Sequence, residues 1–207
     1  MQETPNGTGA FVSGPNGSDG SGSAKLTIDS SGGEALANGL FAGTRFDHLK
    51  FLSYKTYQAA VGTHATTLQL DADYDATDNN TAFQGRAVFE PELAGGPAVT
   101  SETWQTWNPL TAPSGWWQTG NAIVGGNNVG QQCTQGSPCS FTQLLADYPD
   151  LAIRPITGQS AGQPIAGGMW LKAGSGWSPG FAGNVDSLSV AVDVGGVNGT
   201  VNYDFEP

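Results

Sequence analysis

The most regular pattern in the chain is Leu68-Gln69-Leu70-Asp71-Ala72-Asp73-Tyr74-Asp75, where Leu68, Leu70, Ala72 and Tyr74 share one face and the polar residues the other. A period of two is that of a strand with one buried face, so a half-buried strand is predicted. After a turn at Asp78-Asn79-Asn80, Ala87-Val88-Phe89-Glu90-Pro91 supplies a partner strand for an antiparallel hairpin. Pro91 lacks an N–H and should end that ladder or mark an edge. Further strands are expected at Ala24 to Ile28, within Phe46 to Tyr57 after a short helical or turn entry, and at Glu102 to Trp107, Gly115 to Thr119, Ala152 to Ile156, Gly168 to Ala173, Val185 to Val192 and Thr200 to Phe205.

One helix interrupts them. Ser140 can cap Phe141 to Tyr148, Gln143 completes a capping box and Pro149 stops the helix. About ten short strands separated by Gly-rich turns predict an all-β fold, an antiparallel β-sandwich of jelly-roll type with one short α-helix. No repeat of 20 to 50 residues and no composition break divides the chain, so residues 1–207 are read as one domain. Residues 1–22 form a Gly-rich N-terminal segment in which Ala10-Phe11-Val12 is a short strand followed by a mobile or tightly turned loop.

Composition narrows the partners. Seven Lys and Arg against 18 Asp and Glu give a net charge of -11, which repels a polyphosphate and argues against nucleic acid. No apolar run approaches the roughly 18 to 20 residues that cross a bilayer as a helix. With only 12% charged residues, the surface must be covered by Gly, Ser, Thr, Asn and Gln, a composition expected of an extracellular or cell-surface protein. The start, Met1-Gln2-Glu3-Thr4-Pro5, reads as lacking a signal peptide, and sequons begin at Asn6, Asn16, Asn79 and Asn198 in turn sequence. Cys133 and Cys139 flank Thr-Gln-Gly-Ser-Pro, a loop that reverses tightly. A disulfide is predicted there; zinc would need more ligands than two Cys and the distant His48 and His64 provide.

The order of short motifs resembles a group of uncharacterised exported bacterial β-sandwich modules. The resemblance is carried by Phe11-Val12-Ser13-Gly14-Pro15, Gly22-Ser23-Ala24-Lys25-Leu26, Leu52-Ser53-Tyr54-Lys55-Thr56-Tyr57, Leu70-Asp71-Ala72-Asp73-Tyr74-Asp75 and Val88-Phe89-Glu90-Pro91. It continues through Thr103-Trp104-Gln105-Thr106-Trp107, Trp116-Trp117, Leu144-Leu145-Ala146-Asp147-Tyr148-Pro149-Asp150, Gly174-Ser175-Gly176-Trp177 and Tyr203-Asp204-Phe205-Glu206-Pro207. The run Gly180-Phe181-Ala182-Gly183-Asn184-Val185-Asp186-Ser187-Leu188 is similar to the closing strands of jelly-roll carbohydrate-binding and concanavalin-like modules. That similarity implies the fold, and carbohydrate binding by analogy.

Three constellations could carry chemistry. Asp71, Asp73 and Asp75 repeat on one strand face about 7 Å apart, with Asp78 in the following turn. Such hard oxygen ligands suit calcium if the strand bends; a solvated polar face is the simpler alternative. A thinner cation candidate joins Asp186, Glu206 and Glu3, which terminal strands could bring together. Trp104 and Trp107, and Trp116 and Trp117, must each present their members to opposite faces, so one of each pair should leave the core. Exposed rings there, together with Trp177, could stack on sugars while Gln105, Asn108 and Gln118 supply hydrogen bonds; the rival is that the tryptophans fill the core.

For catalysis, Glu90 with Glu102 or Glu92 could form a glycosidase pair, and His64 and Arg86 are available to a lyase although no motif joins them. The leading expectation is a noncatalytic extracellular module that binds a polysaccharide. The alternatives are a structural or adhesive surface protein that self-associates through its N-terminal segment, and a glycan-active hydrolase or lyase.

Overall fold

In the computed structural model the described residues are 2–3, 7–29, 32–59, 62–155, 168–174, 177 and 180–207. They form two antiparallel sheets, a small ribbon and one short helix. The first sheet contains β1 (Gln2–Glu3), β4 (Glu34–Asn38), β6 (Thr67–Asp73), β7 (Arg86–Phe89), β9 (Trp116–Thr119), β12 (Ala152–Ile153) and β13 (Met169–Ala173). Its order is β1-β4-β13-β6-β7-β9, with β12 also pairing β6.

The second sheet contains β2 (Gly7–Ser13), β3 (Gly22–Asp29), β5 (Leu49–Gln58), β8 (Trp104–Trp107), β14 (Gly180–Val194) and β15 (Val197–Tyr203), in the order β2-β3-β14-β5-β8 with β15 on β14. β10 (Ala122–Val124) and β11 (Asn127–Gly130) make the ribbon, and α1 is Phe141–Asp147. The all-β sandwich expected from the alternation is the observed architecture.

Apolar faces of both sheets meet in a main core that includes Leu52, Tyr54, Leu68, Leu70, Phe89, Trp107, Trp116, Leu171 and Val190, and Leu26, Ile28, Ala173, Trp177 and Phe181 form a smaller cluster. The predicted hairpin is β6 against β7, with Leu68 opposite Phe89 and Leu70 opposite Ala87. Pro91 ends β7 as expected and begins a 3-10 turn at Pro91–Leu93. At the helix, the Ser140 hydroxyl accepts from the Gln143 amide at 3.1 Å, as the cap predicts.

The long strand β14 bulges at Ser187, where φ is 53°, and there exchanges β3 for β15 as its partner. Gly85 at φ 108° brings the start of β7 so close to β9 that a Cβ would lie 1.6 Å from the Thr119 carbonyl oxygen. Only glycine fits there.

The central strand departs from its prediction. All seven residues of β6 are buried, so it is covered on both faces rather than half-buried with a solvated polar side. Long side chains form the second cover: the Arg86 guanidinium lies 4.7 Å from the centre of the Trp170 ring, and Phe83 packs near the same group. β4 and the β10–β11 ribbon have no counterpart in the sequence reading. Residues 7–13 of the N-terminal segment are held as β2 along β3, with Phe11 opposite Ala24. Ile156, the sequon at Asn6, the side chain of Glu3, and Ser175 and Gly176 lie outside the described residues.

Candidate functional site

On the first sheet, the face turned away from the core carries a second row of side chains. Antiparallel register sets Lys172 opposite Thr67, Trp170 opposite Gln69, Gln69 opposite Val88, and Val88 opposite Trp117. In the next register, Asp71 stands opposite Arg86 and Arg86 opposite Thr119. Gln135, Gly174 and Trp177 from loops wall this face into a cavity of about 280 Å³. Its floor is fixed by internal bonds. Arg86 Nε donates to Asp71 Oδ1 at 2.7 Å, an Arg86 terminal nitrogen to Gln69 Oε1 at 3.3 Å, and Gln69 Nε2 to Thr67 Oγ1 at 3.1 Å.

Titratable groups lie behind the Trp117, Gln135 and Trp177 side chains that line the groove. Glu90 follows β7 and is buried; its Oε2 accepts from Trp117 Nε1 and Gln135 Nε2, both at 2.9 Å. His64 Nδ1 lies 2.6 Å from Glu92 Oε1, and the His64 ring stacks on Trp177 with centroids 4.7 Å apart and planes 2° from parallel. One ligand atom each from His64, Glu90 and Glu92 falls within a 4.8 Å cluster, close enough to hold one divalent cation. Burial pushes the Glu92 carboxyl up to about 7, with the His64 hydrogen bond opposing and the Glu90 charge adding to the rise. Glu92 Oε2 is buried with no partner among the described residues.

The predicted tryptophans divide between the sheets instead of forming one platform. Trp107 and Trp116 point into the core, where their indole N–H groups donate to Thr56 Oγ1 and the Pro109 carbonyl, each at 2.8 Å. Neither ring can meet a ligand, which corrects the expectation for these two. Trp104 is half-buried on the second sheet against Tyr57, 5.5 Å between centroids. Trp117 and Trp177 both line the groove, Trp117 half-buried and Trp177 as a largely buried ring packed with Leu26, Ile28, Ala173 and Phe181, so that only a small part of its surface is open toward the cavity. One member of each pair has therefore left the core, as strand parity required.

The amides fare differently. Gln105 braces its own loop through the Ala98 carbonyl and the Thr100 amide, and Asn108 is exposed beside it. Gln118 is a buried scaffold group, bonded to the Tyr148 hydroxyl and to the amides of Gln132 and Cys133. The useful groove amides are Gln69 and Gln135. Gln69 was visible only as part of a polar face, and nothing in the sequence set Gln135 apart.

The acidic row is neither solvated nor continuous. Asp71 is committed to Arg86, whereas Asp75 accepts from the Thr77 and Gly125 amides and is held below the usual carboxylate range by Thr77 first and Gly125 next. Asp73 is pushed up chiefly by burial, with the Asp78 and Asp75 charges adding to it. Asp78 Oδ1 accepts the Asn80 amide at 2.8 Å, and its Oδ2 is buried without a partner among the described residues. In the thinner candidate, Asp186 accepts the Asp19 and Ser187 amides while Glu206 accepts from Ser21. These two carboxylates thus anchor a loop.

Cys133 and Cys139 form the predicted disulfide, and Gln135 lies within the loop that it closes. Such a bond belongs to an oxidising environment. Among the described residues no helix is long and apolar enough to cross a membrane. A second cavity of about 250 Å³, lined by Phe11, Leu36, Met169, Leu171, Leu188 and neighbours, is almost wholly apolar and offers few groups to orient a ligand. No protein family, curated protein or solved structure matches the chain.

Proposed function

We propose that the protein is an extracellular carbohydrate-binding module that takes a polysaccharide segment into the groove on the outer face of its first sheet. The observation that carries this reading is the convergence of two indoles, Trp117 and Trp177, with Gln69, Gln135, Thr67 and Thr119 on one open cavity. Flat aromatic faces stack on the apolar faces of sugars, and amides and hydroxyls match their hydroxyl groups. The site moves from the five-tryptophan surface expected from sequence to this groove, with Trp117 and Trp177 common to both.

The rival enzyme reading is favoured by the carboxylates behind the groove lining. Glu90 and Glu92 approach within 4.8 Å, near the roughly 5 to 5.5 Å between carboxyl groups of retaining glycosidases. Glu92 is pushed up to about 7, where a carboxylic acid can protonate a leaving oxygen. Glu102 takes no part in this trio.

One panel separates the readings. The protein is run through native gels cast with neutral and acidic polysaccharides, and the same polymers are incubated with it and assayed for new reducing ends. Retardation by at least one polymer, reduced in Trp117→Ala and in Gln135→Ala variants that keep the wild-type circular dichroism, supports the binding module. Release of product that stops in Glu90→Gln and Glu92→Gln makes it a glycan-cleaving enzyme, a lyase if the product carries the ultraviolet absorbance of an unsaturated uronate and a hydrolase if it does not. Unchanged mobility and no product across the panel would remove both.

The proposal includes a structural calcium ion at the turn after β6. Asp73 and Asp78 fit it, because a cation would relieve their repulsion and satisfy the buried Asp78 Oδ2. Asp71 does not fit, since Arg86 already occupies it.

A further inference from the structure

We infer that the groove selects glycans bearing an anionic substituent, a uronate carboxylate or a sulfate ester, and that Lys172 and Arg86 form the recognition pair. This rests on the groove being the glycan site. The whole chain has seven Lys and Arg against 18 acids, yet two of the seven line this one cavity. They sit close enough to oppose each other. Burial, and then the positive charge of Arg86, holds the Lys172 ammonium below the ordinary lysine range.

Asp71 offsets part of this charge through Arg86 Nε. No described carboxylate forms an ion pair with Lys172, and its ammonium has no hydrogen-bond partner among the described residues. Arg86 is locked in place by Asp71, Gln69 and the Trp170 ring, so its guanidinium is presented with little further loss of freedom. An anion seated between the two cations would remove their repulsion and satisfy the ammonium. A neutral sugar would instead cut a half-buried, unpaired charge off from water, which is unfavourable. The net charge of -11 does not prevent this, since exposed charges beyond about 8 Å are largely screened at physiological salt.

The test uses the intact protein and immobilised polymers in matched pairs: alginate, polygalacturonate and hyaluronan beside their methyl-esterified forms, dextran sulfate beside unsulfated dextran, and neutral xylan, mannan and cellulose. Binding to a carboxylated or sulfated polymer is expected to fall at least about tenfold when the anionic group is esterified or removed, the scale of one charge-assisted hydrogen bond. The matched pairs distinguish carboxylate from sulfate. Lys172→Met should lose about tenfold on the same polymer, and Lys172→Arg, which keeps the charge, should recover most of it. Equal binding to charged and uncharged forms, binding to neutral polymers only, or a Lys172→Met protein that binds like wild type would overturn the inference while leaving the groove as a glycan site. Failure to bind any polymer would instead remove the groove reading beneath it.

Discussion

Glu92 joins the fold to the site at the scale of a single side chain. Its carboxyl is pushed from an ordinary 4.5 up to about 7 by burial, so between those values the folded protein holds a proton that the unfolded chain releases. The sign follows directly. More protons on the folded state mean that stability falls as pH rises from about 4.5 to about 7, and the loss is complete above the folded value. Chemical unfolding at pH 5 and pH 8 should therefore show a decline that is smaller in Glu92→Gln, whose side chain cannot ionise; an identical decline in both proteins would contradict it. The sequence displayed Glu90 and Glu92 as candidate carboxylates, but not that His64, 28 positions before Glu92, completes the cluster. Tryptophan parity was legible in the same way. That one of Trp116 and Trp117 must leave the core follows from spacing; that Trp117 lands over Glu90 depends on β7 and β9 being neighbours.

Among the elements, β6 shows both the reach and the failure of pattern reading. Its alternation fixed the strand, its hairpin with β7 and the residues facing the core. Burial of its polar face was invisible, because Arg86, Trp170 and Lys172 come from flanking strands, one of them about 100 residues away. β4 was missed because Glu-Ala-Leu-Ala-Asn is poor in β-branched and aromatic residues; β13 and β1 pair with it all the same. The turn after β6 carries the proposed calcium. Millimolar calcium should raise the melting temperature by a few degrees, chelator should reverse this, and Asp78→Asn should abolish it; an unchanged melting temperature would dismiss the ion. The disulfide was readable from the composition of its loop. That it also steadies Gln135 against Glu90 was not.

At the scale of the whole molecule, self-association through the N-terminal segment competes with the binding module. The described part of that segment is docked in cis: β2 pairs along β3 as the edge strand of its sheet, and the Phe11 ring lies 6.3 Å from Phe205. Of the remaining exposed large apolar residues, Val194 and Val197 pair at the tip of the β14–β15 hairpin, while Leu40, Phe51, Phe83 and Val129 come from other segments, and a few exposed apolar residues are ordinary on a monomer. Light scattering should give a mass near 21.3 kDa over a wide concentration range, and a mass rising with concentration would favour the assembling surface protein instead. The sequence by itself determined the all-β class, the capped helix, the bridged loop and the alternation of each strand, since these depend on neighbours within a few residues. Only the tertiary structure decided that both faces of β6 are covered, that Trp107 and Trp116 are core while Trp117 and Trp177 line one groove, and that Lys172 approaches Arg86 and His64 approaches Glu92. A period of two says which side chains share a face; which strands lie beside that face is set by packing between segments distant in the chain.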